Sequence, residues 1–280
     1  MCGIVGFVGE ANGVKFLIDG LSSLEYRGYD SAGIAGVVNG EARVTKSVGR
    51  IKNLEALIPE GLHLELGIGH TRWATHGQAT EANAHPHTSA NGRLILVHNG
   101  VIENYLQIKD EYLSRDTFKG ETDTEIAVHL IGHFVDEGNS VLDAFKKALH
   151  IIQGSYAFAL VDSENPDTIY VAKNKSPLLI GIGNGYNMVC SDAMAMIRET
   201  SEFMEIHDKE LVVLTKDSVT VSDYDGNLKE RNTYTAELDL SDIGRGTYPY
   251  YMLKEIDEQP TVMRKLISTY SDENGKLKVD

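Results

Sequence analysis

MCGIVGFVG, from Met1 to Gly9, is the stretch that decides how the rest of the chain reads. Gly3 to Gly9 is a short apolar run bounded by glycines, the pattern of a buried strand. It begins immediately after a cysteine that itself follows the initiator methionine. Working outward, Val14, Leu17, Ile18, Leu21 and Leu24 recur at helical spacing, and Ile34 to Val38 is a second apolar run after the GYDSAG turn. The opening therefore reads strand, helix, strand.

Further strands are expected at Glu65 to Gly69, Arg93 to His98, Ser155 to Val161, Thr168 to Val171, Leu178 to Ile182, Asn187 to Cys190, Glu210 to Leu214 and Ser218 to Ser222. Helices are expected at Tyr105 to Tyr112, Thr124 to Val135, Leu142 to Ile152 and Met252 to Tyr270. The late strands follow one another without helices, and the turns at Asp162 to Asp167 and Lys216-Asp217 read as hairpins, which favours antiparallel pairing. The sum is an α+β layered fold with large antiparallel sheets. From Thr233 the acidic run TAELDLSDIGRGTYPY reads as a linker, so residues 1–240 form one domain and 241–280 the linker and the start of another part.

The chain has 280 residues, 42% hydrophobic and 24% charged, values of an ordinary globular protein. Its 26 Lys and Arg against 41 Asp and Glu leave a net charge of −15, which repels nucleic acid and anionic membrane surfaces. No run approaches the roughly 18 apolar residues of a membrane span, and the amino terminus lacks the basic and apolar regions of a targeting peptide. Two cysteines, Cys2 and Cys190, are too few for a disulfide framework, which fits a reducing, cytoplasmic compartment.

Cys2 has two readings. One is a small buried hydrophobe at the start of a strand. The other follows from removal of Met1, which puts a thiol of pKa about 8.5 and an α-amine of pKa about 7.7–8.0 on one residue. Nucleophile and general base would then coincide, as in N-terminal threonine hydrolases. Such a nucleophile needs an oxyanion site. RLILVHNG closes a strand on Asn99-Gly100, a side-chain amide and a bare backbone N–H, although Asn-Gly is also the commonest hairpin turn.

Six of the ten histidines lie between His63 and His98. His70, His76, His85 and His87 suit zinc by ligand type, but no Cys pair, HExxH or i, i+4 spacing accompanies them, so no metal is assigned. Arg72 has the planar fork of a carboxylate clamp or of a surface ion pair. Trp73, the only tryptophan, reads as a pocket wall or lid, or as a packing anchor. Asp123 stands at a helix start, where Thr122 or Asp123 would cap and a fixed carboxylate could hold an ammonium. No GxGxxG or GxxxxGK[ST] run is present, so no nucleotide cofactor is expected.

Taken together, MCGIVG, YRGYDSAG at 26–33, GHTRWATHG at 69–77, AHPH at 84–87, VHNGVIENY at 97–105 and ETDTE at 121–125 resemble, in order and spacing, the glutaminase domain of class II glutamine amidotransferases. LEYRGYDSAGI, VAKNKSPLLIG and YMLKEIDEQP resemble the branch that continues into two sugar-isomerase domains. The resemblance implies the N-terminal-nucleophile hydrolase fold, a four-layer αββα sandwich of antiparallel sheets. It implies Cys2 as nucleophile, Asn99 and Gly100 as oxyanion hole, Arg72 for the glutamine α-carboxylate, and Asp123 for its α-ammonium. Thr75 and His76 would complete the pocket, Trp73 would gate ammonia, and Arg27 would order the nucleophile. L-glutamine is then the substrate and no cofactor is needed. The absent sugar-isomerase domains are the partner that takes ammonia to fructose 6-phosphate, forming glucosamine 6-phosphate, in a full-length homo-oligomer. A different ammonia acceptor, or a silent glutamine-binding module, would use the same residues.

Overall fold

The computed structural model describes residues 2–74, 77–236, 248, 251–271 and 276. The chain divides into two compact units, Met1–Glu237 and Leu238–Asp280. The first carries two antiparallel sheets among its described residues, and its opening run is β1, Gly3–Gly9.

β1 sits inside the larger sheet because both its faces are apolar. Ile4 and Val8 point one way, and Val5 and Phe7 the other, the two-residue alternation of a strand with no solvent face. It pairs with β4 (Leu66–Arg72) on one side and β10 (Tyr186–Cys190) on the other. β2 (Ser31–Val38) and β3 (Glu41–Val48) extend the sheet beyond β4. β9 (Leu179–Ile182), β11 (Glu202–Glu205) and β14 (Tyr234–Thr235) extend it beyond β10. Helices α1 (Gly13–Leu24) and α2 (Ile51–Glu55) cover its outer face. Asn12 caps α1 by accepting the Val14 N–H at 3.1 Å.

The second sheet runs β13 (Val219–Asp223), β12 (Glu210–Leu214), β8 (Asn165–Asn174), β7 (Gly154–Asp162), β6 (Leu94–Ile102), β5 (His87–Thr88). Along β6, Ile95 and Val97 face the first sheet, while Leu94 and Leu96 face α3 (Tyr105–Tyr112), α4 (Asp123–Asp136) and α5 (Val141–Ile151). Three apolar layers thus separate four structural layers, helix, sheet, sheet, helix, and the chain has the αββα sandwich of the N-terminal-nucleophile hydrolases.

Several details differ from the sequence reading, among them the short α2 and β11, which were not foreseen. β3 was not foreseen, because EARVTKSV carries charges along an edge strand, where polar residues guard against further pairing. The strand expected to close at Asn99-Gly100 continues through both to Ile102, with Asn99 opposite Ala157 and Gly100 opposite Tyr156, so the pair is not a hairpin turn. Tyr234 and Thr235, expected in a linker, pair with Phe203 and Glu202. Most of that acidic run, 237–247, lies outside the described residues.

The second unit contains α6 (Tyr251–Tyr270), which runs through Pro260. No helix among the described residues is long and apolar enough to cross a membrane.

Candidate active site

Cys2 stands where β1 begins, beside the C-terminal end of β4. The register Gly3 to Thr71 carries the chain on to Arg72 and Trp73 across from it. The Cys2 Sγ accepts the Trp73 N–H at 3.3 Å and faces the Trp73 carbonyl at 3.7 Å. Burial pushes the thiol up; the Trp73 N–H and the Arg72 charge act in the other direction and are outweighed. The resting group is therefore the protonated thiol, which needs a base to become a nucleophile.

Arg72 is the last residue of β4 and only 4% exposed. Its Nη1 donates to the Gln78 carbonyl at 3.1 Å and Nη2 to the Gly77 carbonyl at 3.5 Å, which holds the fork in place. The loop beyond it is anchored by Asp30, whose Oδ2 accepts the Ala74 N–H at 2.9 Å. Gly28 makes this possible. A Cβ there would lie 2.8 Å from the Arg72 carbonyl carbon and the Trp73 nitrogen, so only glycine lets the YRGYDSAG segment lie against the backbone that supports the thiol. Trp73 projects outward, 44% exposed, edge-on to Tyr29 at 5.6 Å.

From the second sheet, Asn99 reaches Cys2, its Nδ2 donating to the Cys2 carbonyl at 3.2 Å. Gly100 follows with φ +135°. Thr122 caps α4, accepting the Glu125 N–H at 3.3 Å. Asp123, 6% exposed at the first position of α4, accepts the Ile102 N–H at 2.8 Å and is thereby fixed to the end of β6. Cys2, Arg72, Trp73, Gly100 and Asp123 line one cleft of about 30 Å³, with His85, His98, Thr122 and Thr124 as its remaining wall.

Arg27 is not in that lining. It closes a 3₁₀ turn, Glu25–Arg27, pairs with Asp192, and donates from Nε to the Tyr26 hydroxyl at 3.0 Å. Thr75 and His76 lie outside the described residues. Asp30, Thr122 and Thr124 were not singled out for the pocket or its support, though Asp30 lies in the YRGYDSAG motif and Thr122 and Thr124 in ETDTE; a short polar side chain in a loop or at a helix start carries no periodicity to reveal it.

Three of the histidines have hydrogen-bond partners within the protein. His70 Nε2 lies 2.9 Å from Asn99 Oδ1, His87 Nε2 2.9 Å from Thr122 Oγ1, and His98 Nδ1 2.9 Å from Thr124 Oγ1. Burial lowers these three and His85, His70 to about 3, so the four are neutral at pH 7. Among the described residues, no group of three or more His, Cys, Asp or Glu side chains is placed to hold a metal ion.

A family profile described as a glutamine amidotransferase domain matches residues 60–228. The chain belongs to that family. This amidotransferase domain is 75% identical over 281 aligned positions to the glutamine-fructose-6-phosphate aminotransferase (isomerizing) of Streptococcus mutans serotype c, and 72% identical to that of Streptococcus agalactiae serotype III. The alignments take in the whole chain but only 46% of each relative, so the chain spans about half the length of the curated proteins it matches. Among solved structures, the glutamine phosphoribosylpyrophosphate amidotransferase of Bacillus subtilis superposes with a TM-score of 0.70 at 26% identity, over 81% of this chain and 50% of that one. A class-II glutamine aminotransferase domain protein from Silicibacter pomeroyi shares the fold, with a TM-score of 0.53 at 16% identity over 79% of this chain and 98% of that one.

Proposed function

We propose that this domain hydrolyses L-glutamine to L-glutamate and ammonia at Cys2, and that in the full-length protein the ammonia passes to fructose 6-phosphate in sugar-isomerase domains beyond residue 280, forming glucosamine 6-phosphate. The observation that carries the reading is the convergence at Cys2 of an amide from β6, which donates to the Cys2 carbonyl, with a guanidinium from β4 and a carboxylate from α4 that line the same cleft as Cys2.

In this reading, Met1 is removed and the Cys2 α-amine takes the thiol proton as Sγ attacks the glutamine carboxamide carbon. Asn99 Nδ2 and the Gly100 N–H receive the oxyanion. Collapse expels ammonia, which carries away the proton held by the amine, and leaves a γ-glutamyl thioester. Water, deprotonated by the same amine, then cleaves the thioester, releasing glutamate and returning the proton to sulfur. Arg72 takes the α-carboxylate and Asp123 the α-ammonium, with Thr75 and His76 completing the pocket. A cleft of about 30 Å³ holds only two or three water-sized spheres, so glutamine enters as the rim bearing Trp73 moves. The same Trp73 then gates ammonia. Arg27 orders the nucleophile through its neighbours rather than by lining the cleft. The full-length protein is a cytoplasmic homo-oligomer in this reading.

The test is intact mass spectrometry with a glutamine-derived electrophile. A chain lacking Met1 gains one adduct on Cys2, and Cys2→Ala loses both the adduct and ammonia release from glutamine. Appreciable ammonia release by Cys2→Ala would overturn the assignment.

A further inference from the structure

We propose that His70 is the positioning residue that sets which way round the Asn99 carboxamide sits, and so presents its NH₂ rather than its oxygen to Cys2. The inference rests on the reading of Asn99 as an oxyanion donor and extends it one residue further into the protein.

The argument starts from an atom that cannot rotate away. The backbone carbonyl of His98 lies within β6 and points at His70 Nε2 at 3.0 Å. A carbonyl oxygen only accepts, so Nε2 must carry the proton; with the proton on Nδ1, two lone pairs would face each other in a fully buried site. That same Nε2 lies 2.9 Å from the Asn99 side chain. Facing a donor, Asn99 must turn Oδ1 toward the ring, and the rigid amide then aims Nδ2 at Cys2, where it donates to the carbonyl at 3.2 Å. Fixed carbonyl, imidazole tautomer, amide orientation and cleft are thus linked in one sequence. Turned the other way, Asn99 would oppose NH₂ to N–H at His70 and oxygen to oxygen at Cys2.

The ring cannot lose this role by titrating. Its burial holds it neutral at pH 7, and no second orientation satisfies it, because Nδ1 has no hydrogen-bond partner among the described residues. His85 packs against it with the rings tilted by 39° and their centroids 4.2 Å apart, which restricts the movement of the ring. His70 lies on β4 and Asn99 on β6, so the bond also ties together the two sheets between which Cys2 sits.

The experiment is a double-mutant cycle on this chain, read as kcat and KM for glutamine, with the rate of Cys2 alkylation by iodoacetamide as a second readout. Alkylation forms no oxyanion, so it reports an intact thiol and fold. His70→Leu removes the donor; kcat is expected to fall at least tenfold, with KM and the alkylation rate within threefold of the native values. His70→Gln keeps an amide N–H at about the Nε2 position and should recover most of the loss. In an Asn99→Ala background, itself down about a hundredfold or more, His70→Leu should cost less than twofold further, since groups acting as a unit are not additive. An equal loss from His70→Leu in both backgrounds, a matching fall in alkylation, or no rescue by Gln would show a merely structural role and overturn the proposal. If Asn99→Ala itself keeps native kcat, the underlying reading of Asn99 fails and this inference falls with it; if only Asn99→Ala is impaired, this inference alone fails.

Discussion

Gly100→Ala tests whether the oxyanion site depends on the path of β6 rather than on side chains alone. Gly100 has φ +135°, a backbone conformation that L residues rarely adopt, at a cost of order 1–3 kcal/mol. An added Cβ would also lie 2.0 Å from the Ser155 carbonyl oxygen of β7, where real contacts stay beyond 3.0 Å. Neither atom belongs to a flexible side chain, so β6 and β7 must part by about 1 Å, adding an overpacking cost of about 1–3 kcal/mol. Together these lower stability by about 2–6 kcal/mol, which for a domain of this size lowers Tm by about 4 °C or more. The same displacement moves the Gly100 N–H, and a shift of about 1 Å at a reacting centre costs on the order of a hundredfold in kcat. Gly92→Ala is the matched control: φ is +78°, but nothing lies within 4 Å of the added carbon. It should lower Tm by only a few degrees and leave kcat within twofold. The assays are ammonia release at saturating glutamine, measured well below the lower Tm, and thermal melting. Native kcat in a folded Gly100→Ala would refute the placement of the oxyanion donor on this strand.

Arg72→Lys should raise KM for glutamine tenfold or more while kcat falls less than threefold, because a point charge cannot replace the two-pronged fork; a loss mainly in kcat would place Arg72 in the chemistry instead. Stability should fall with acid: His70, His85 and His87 are neutral when folded and titrate near 6.5 when unfolded, so the unfolded chain binds about three more protons below that pH. Their contribution is complete above pH 6.5 and shrinks as pH falls toward 3, by about 4 kcal/mol in total at pH 5.5, and a urea midpoint that stays flat from pH 7.5 to 5.5 would exclude this.

What the sequence disclosed followed its periodicity. β1, α1, α3, α4 and α5 emerge from apolar spacing because each buries its own repeating face. β3 escaped because it is an edge strand with charged positions, and β11 and α2 because four or five residues are too few for a period to show. In the site, Cys2, Arg72 and Asp123 stood out by residue type and position. The role of His70 did not, because a histidine among six nearby histidines looks like a metal ligand until the partner of each ring nitrogen is known. For Asn99-Gly100 the sequence left a hairpin turn open beside the oxyanion pair, for a related reason. A turn and a glycine-strained strand share a dipeptide, and only the pairing with Ala157 and Tyr156 separates them.

The base for Cys2 can be argued by elimination. Burial places the thiol above its ordinary pKa of about 8.5, so whatever takes its proton must be a base of comparable strength. The imidazoles near it are weak bases. His70 titrates at about 3, which makes proton transfer from the thiol uphill by more than five units, roughly 7 kcal/mol at 1.36 kcal/mol each. His85 and His98 are depressed by the same burial. The Asp30 and Asp123 carboxylates are already engaged, accepting backbone N–H groups at 2.9 and 2.8 Å. An α-amine on Cys2 itself titrates at about 7.7–8.0 in its ordinary state, within a unit of the ordinary thiol, and transfer to it is uphill by only about 1 kcal/mol beyond the burial shift. In the proposed mechanism, the burial that silences the histidines therefore leaves removal of Met1 as the step that would arm the thiol. A chain retaining Met1 would keep Cys2 in the same cleft beside the same donors and still have no base strong enough to use it.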